Sequence, residues 1–176
     1  MQFQVESWFR SLLVVVGVAA CAPALDWRDV RAPGSAASLL FPCKPAAQSR
    51  EVALAGPAVS MSLQACTTQA LTFGLASADV VDPARVGPAL RALRTAAAAN
   101  VGAVTEAAAA WPVPGATPNE SSGRVQLSGR APEGKPLQMQ LLLFAHGTRV
   151  FQASVLGESV ADETVQTFYS SIRFPR

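Results

Sequence analysis

Residues 136–156, PLQMQLLLFAHGTRVFQASVL, decide the fold. Two apolar runs rich in branched and aromatic residues flank a polar, glycine-bearing break at His146-Gly147-Thr148, the pattern of a β-hairpin. A three-residue loop there predicts the register. Leu143 faces Phe151, Leu141 faces Ala153 and Met139 faces Val155 on one apolar side, while Gln140 meets Ser154 and Leu142 meets Gln152 on a mostly polar side. Gly147 supplies the left-handed backbone that such a loop needs. His146 is then a turn residue rather than a general base. Outward from the hairpin, Val125 and Leu127 alternate with Arg124, Gln126 and Ser128, predicting a neighbouring strand that turns back over residues 129–134. On the other side, Ser159-Val160-Ala161-Asp162 reads as a capping box. The helix after it carries Val165, Phe168, Tyr169 and Ile172 on one face.

The first half repeats the β pattern. Ser38 to Phe41 predicts a short strand stopped by Pro42, and Arg50 to Leu54 a second one ending at Gly56-Pro57. Val59, Met61, Leu63 and Ala65 alternate with Ser60, Ser62 and Gln64. Leu71, Phe73 and Leu75 repeat that spacing after a turn at Thr67-Thr68, which predicts another hairpin. Proline inside a helix costs about 3 kcal/mol. A helical turn over 83–87 followed by a main helix from Pro88 avoids that cost and puts Leu90, Leu93, Ala97 and Val101 on one stripe, with Arg91 facing away. The helix ends near Asn100 to Gly102, and residues 103–110 read as a strand, although their alanine run fits a helix equally well.

The amino terminus sets a location. A polar start carrying Arg10, an apolar run from Ser11 to Ala20 and small residues at its end form a secretory signal over residues 1–20. The run is shorter than the roughly 20 residues a membrane-spanning helix needs. Val18-Ala19-Ala20-Cys21 resembles the bacterial lipobox, which implies cleavage before Cys21 and acylation (palmitate among the chains) of that cysteine. Several chains on one residue make attachment lasting, since each buried methylene contributes about 0.8 kcal/mol. Ala22 after the cysteine, by the same resemblance, points to a lipoprotein of the outer membrane facing the periplasm. Residues 21–37, rich in Ala and Pro with Trp27 among charges, read as a tether with one docked aromatic, and residues 38–176 as one domain.

With Cys21 committed to lipid, Cys43 and Cys66 remain as an even pair in an oxidising compartment, predicting a disulfide that stabilises the fold by roughly 3 kcal/mol on the chain-entropy model. The alternative is two buried thiols. A metal site is disfavoured by the single histidine and the absence of a CxxC spacing, and no cofactor is expected. The formal charge is +2, and the arginines are scattered, so no nucleic-acid partner is expected. Asp79 with Asp82, and Asp162 with Glu163, sit at helix starts, where carboxylates serve as caps. Asn119-Glu120-Ser121 is a chance sequon in a bacterial chain.

The order of elements predicts an α+β fold, a mostly antiparallel sheet with a central helix and a C-terminal helix. The segments LLFPCKPAA, DPARVGPALRALRTAAAANVGA, RVFQASVLG and VQTFYSSIRF, in that order between Ser38 and Phe174, resemble the PsbP-like domains of bacterial envelope proteins, although Cys43 stands where that family has glycine. The resemblance implies an α/β/α sandwich and a binding or assembly role beside an envelope partner protein. It implies no catalytic residue. The chain holds no GxSxG, HExxH or phosphate-loop motif, which favours a non-catalytic accessory factor over the alternative, a hydrolase or small-molecule carrier with a pocket between sheet and helices.

Overall fold

Seven antiparallel strands form one sheet in the order β3-β4-β5-β9-β8-β7-β6 in a computed structural model that describes residues 25–175. They are β3 (Ala46–Ala53), β4 (Ala58–Thr68), β5 (Leu71–Asp79), β6 (Thr105–Ala109), β7 (Gly123–Arg130), β8 (Pro136–His146) and β9 (Arg149–Gly157). A small hairpin of β1 (Arg28–Arg31) and β2 (Ser38–Phe41) precedes them. Helices α1 (Val86–Asn100) and α2 (Asp162–Ser170) complete an α+β fold. The signal over 1–20 and the lipid-attachment residue Cys21 lie outside the described residues. Residues 28–31, inside the expected tether, are β-strand, and Trp27 packs edge-on against Phe73. The ordered fold therefore begins well before residue 38.

Both faces of the sheet are covered at β8 and β9, and this corrects the expected hairpin register. Phe144 faces Phe151, Leu142 faces Ala153, Leu143 faces Gln152 and Gln140 faces Val155, one residue away from the predicted pairing. The loop has two residues, Gly147 and Thr148, with positive φ at Gly147 alone (58°), as in a type II′ turn. The expected register assumed one wet face. Leu142 and Phe144 are buried on one side of β8, and Leu141 and Leu143 on the other, so alternation of polarity carries little register information in this strand. The β4–β5 hairpin forms as expected, but its turn falls at Gln69-Ala70, both with positive φ, instead of Thr67-Thr68.

Helix α1 begins at Val86, with Pro88 in the first turn, where the N–H groups have no partner within the helix. The expected stripe of Leu90, Leu93, Ala97 and Val101 is buried against the sheet. At its end Ala103 N–H bonds to Ala98 O and Gly102 N–H to Ala99 O, and Gly102 has φ 53°, which together make a Schellman stop. The chain then leaves across β7 so closely that a Cβ on Gly129 would lie 2.0 Å from Val101 O. The predicted capping box at α2 does not form. Ala161 is the N-cap and has no side-chain hydrogen bond, while Val160 is buried and its N–H is held by Gln138 Oε1 at 3.2 Å. Tertiary contacts set the entry into α2 and leave Asp162 free to pair with Arg124.

Candidate functional site

Because α1 connects β5 to the far edge strand β6, it lies over β9 and β8 and leaves the β3–β4 side of that face uncovered. The result is a groove of about 310 Å³ between α1 and the outer strands. Its floor is Met61 and Leu63 of β4 and Ala76 of β5. Ala92, Leu93, Ala96 and Ala97 of α1 form one wall, and Val52 and Leu54 form the other. Alanine on the helix is what makes room: three of those four wall residues have no side-chain atom beyond Cβ.

The register grades the groove from apolar to polar. Val52 stands across from Val59, Arg50 across from Met61 and Ala78, and Gln48 across from Leu63, Ala76 and Gln152. Helix α1 starts beside Leu54 and finishes at Asn100. Leu54 lies at the end beside the start of α1, and amides of Gln48, Gln152 and Asn100 line the groove with the exposed Arg50. No carboxylate lines it, and Arg50 has no ion-pair or hydrogen-bond partner among the described residues.

Arg85 holds the apolar end in shape. Its guanidinium donates to the carbonyls of Leu54 (3.1 Å), Pro57 (2.9 Å), Ala55 (3.3 Å) and Val80 (3.0 Å), locking the β3–β4 turn against the start of α1. A Cβ on Gly56, whose φ is 139°, would come within 3.0 Å of that guanidinium.

The remaining candidates from the sequence take structural positions. Cys43 and Cys66 are joined in a disulfide, with Cα atoms 6.0 Å apart, tying the exit of β2 to β4. His146 ends β8; its Nδ1 lies 2.8 Å from Gly115 O and its ring stacks on Phe174 at 4.2 Å. Asp79 Oδ1 accepts from Thr148 Oγ1 (2.7 Å) and Val81 N–H (2.9 Å), and these bonds hold its carboxyl below the usual range, with Arg149 adding a smaller pull. Asp82 caps the turn at Ala84, and Asn119 accepts from Ser121 N–H. No set of three or more His, Cys, Asp or Glu residues among those described could hold a metal. No helix among them is long and apolar enough to cross a membrane.

One cluster went unread in the sequence. Arg124, expected on an outer polar side, turns toward α2, donating to Gln140 Oε1 at 3.1 Å, pairing with Asp162 and lying 5.8 Å from the ring centroid of Trp111. Gln140 is 1% exposed, and Tyr169 beside Trp111 is buried deeply enough that its phenol is pushed far up and stays neutral. The cluster rivets α2 to the sheet. No signal along β7 distinguishes Arg124 from a solvent-facing arginine, because its partners come from β8 and α2.

No family model matches the chain, and no curated protein matches it.

Proposed function

We propose that the chain is a non-catalytic binding domain of the bacterial envelope, with a PsbP-like α/β/α arrangement, moored through an acylated Cys21 and using the groove beside α1 as its binding site. The observation that carries this reading is the groove itself. It is an apolar slot walled by regular elements, with a few polar groups at defined places, and its volume lies at the lower end of the range for small-molecule sites. An occupant of that size is a small molecule. The accessory role implied by the PsbP-like resemblance then amounts to holding or presenting such a molecule at the membrane.

The test uses the mature chain, residues 21–176, with Cys21→Ser, which lacks both the apolar signal and the lipid-attachment residue and so needs no detergent. A neutral apolar fluorophore, N-phenyl-1-naphthylamine, is expected to bind with one saturable site. Ala96→Trp, which fills the groove from an exposed position on α1, is expected to abolish binding while far-ultraviolet circular dichroism stays unchanged. Binding that survives Ala96→Trp in a folded protein overturns the groove as the site. Palmitate labelling of wild type but not of Cys21→Ser is the expected result for the anchor.

A further inference from the structure

We infer that the groove takes a single-chain acyl carboxylate, with its hydrocarbon tail toward Leu54 and its head among Arg50, Gln48 and Gln152; this rests on the groove being the binding site. Three observations carry it. The groove grades along its length: the rows of the sheet run from Val52 and Val59 through Arg50 and Met61 to Gln48, Leu63 and Gln152. An occupant that is apolar at one end and polar at the other matches that grading, whereas a uniformly apolar molecule leaves three side-chain amides facing hydrocarbon. A polar head can hydrogen-bond those amides, which hydrocarbon cannot.

The sign of the head follows from charge. Arg50 is the one ionised side chain that lines the groove, and it has no carboxylate partner among the described residues. Glu51, its neighbour on β3, points to the opposite face because successive strand residues alternate. A guanidinium presents a planar pair of N–H donors that matches a carboxylate, and the amides of Gln48 and Gln152 add donors from the same end. An ammonium head could bond the amide oxygens of Gln48 and Gln152 but would be repelled by Arg50.

The number of chains follows from size. At about 310 Å³ the slot holds one short chain and not two. Leu54, at the end that Arg85 braces, is apolar, so a tail runs in that direction and a head remains beside Arg50.

Arg50 also blunts an edge strand, a role that charged residues often fill. The two roles separate by measurement. Isothermal titration of decanoate and of decan-1-ol, both kept below aggregation, into the mature chain, residues 21–176 with Cys21→Ser, is the experiment. Decanoate is expected to bind more tightly than decan-1-ol. Arg50→Gln is expected to weaken decanoate about fivefold, as for an exposed ion pair, and to leave decan-1-ol unchanged. Decyltrimethylammonium is expected to bind more weakly than either. Equal affinity for acid and alcohol, or an Arg50→Gln effect of the same size on both, overturns the inference while leaving the groove intact. Decanoate binding that Ala96→Trp does not touch instead overturns the groove reading.

Discussion

The two faces of the sheet are built from different material. On the α2 side, Phe41 and Phe73 each meet Phe168 edge to face at 5.3 Å, Phe144 stacks on Phe151 at 4.8 Å, and Trp111 meets Tyr169 at 5.9 Å. On the α1 side the corresponding residues are alanine, valine and leucine with Met61, and no aromatic ring is in the buried cluster. Large planar side chains from α2, β2 and the sheet interlock on one face, with hollows left beside Trp111 and Val113 and beside Arg173. Small ones on a single helix do not reach the outer strands, so the other face keeps the groove between α1 and β4. The aromatic face supplies the larger share of ring packing and the aliphatic face a slot walled by regular elements, a division suited to a rigid scaffold that carries a binding site.

Truncation gives the largest test of that contrast. Phe168→Ala removes the ring shared by two edge-to-face pairs and is expected to destabilise the protein by about 4 kcal/mol. Leu93→Ala, at the groove wall, is expected to cost nearer 2 kcal/mol, because the side chain already borders open space. Urea unfolding monitored by tryptophan fluorescence measures both. Equal losses would erase the distinction between the faces.

The disulfide lies under the β1–β2 hairpin on the aromatic side, where Cys66 packs against the buried cluster. Replacing both Cys43 and Cys66 by alanine is expected to cost about 3 kcal/mol and to loosen that hairpin before the groove. Hydrogen exchange checks this: amides of β1 and β2 should gain exchange first, and faster exchange confined to α1 would contradict it.

The smallest effect is electrostatic. Asp79 ends β5, and hydrogen bonds from Thr148 and Val81 lower its folded pKa below the unfolded one. A depressed carboxyl contributes stability that is present above its unfolded pKa, near 3.8, and is lost as pH falls through the folded value. Asp79→Asn should therefore lower stability at neutral pH and flatten the acid limb of the stability curve below about pH 4. An acid limb identical to wild type in chemical unfolding at several pH values would sink this assignment. Because Asp79 is at the tip of the sheet, decanoate binding in the groove should not respond.

Much of the fold could be read from local spacing, and the misses share a cause. The stripe on α1, the buried face of α2, the β4–β5 hairpin and the Cys43–Cys66 pair follow from residues close together in sequence or from a count of thiols. The β8–β9 register did not follow, because Leu141 to Phe144 are apolar on both sides. β1 was hidden because Arg28, Asp29 and Arg31 look like tether; the strand exists through pairing with β2 and the Arg173–Asp29 ion pair from the far end of the chain. Gln64, placed on a polar side by alternation, is 7% exposed and donates to Arg31 O at 3.2 Å.

By itself the sequence determined most of the segments that become strands and helices, β1 excepted, since period and apolar content are properties of neighbouring residues along one chain. The groove, the Arg124 rivet and the hairpin register were decided only by tertiary structure. Each depends on which layer covers a face, and that is set by the path of α1 from β5 to the distant edge at β6. A crossover of that kind joins residues far apart in sequence, so no local pattern along β3, β7 or β8 encodes it.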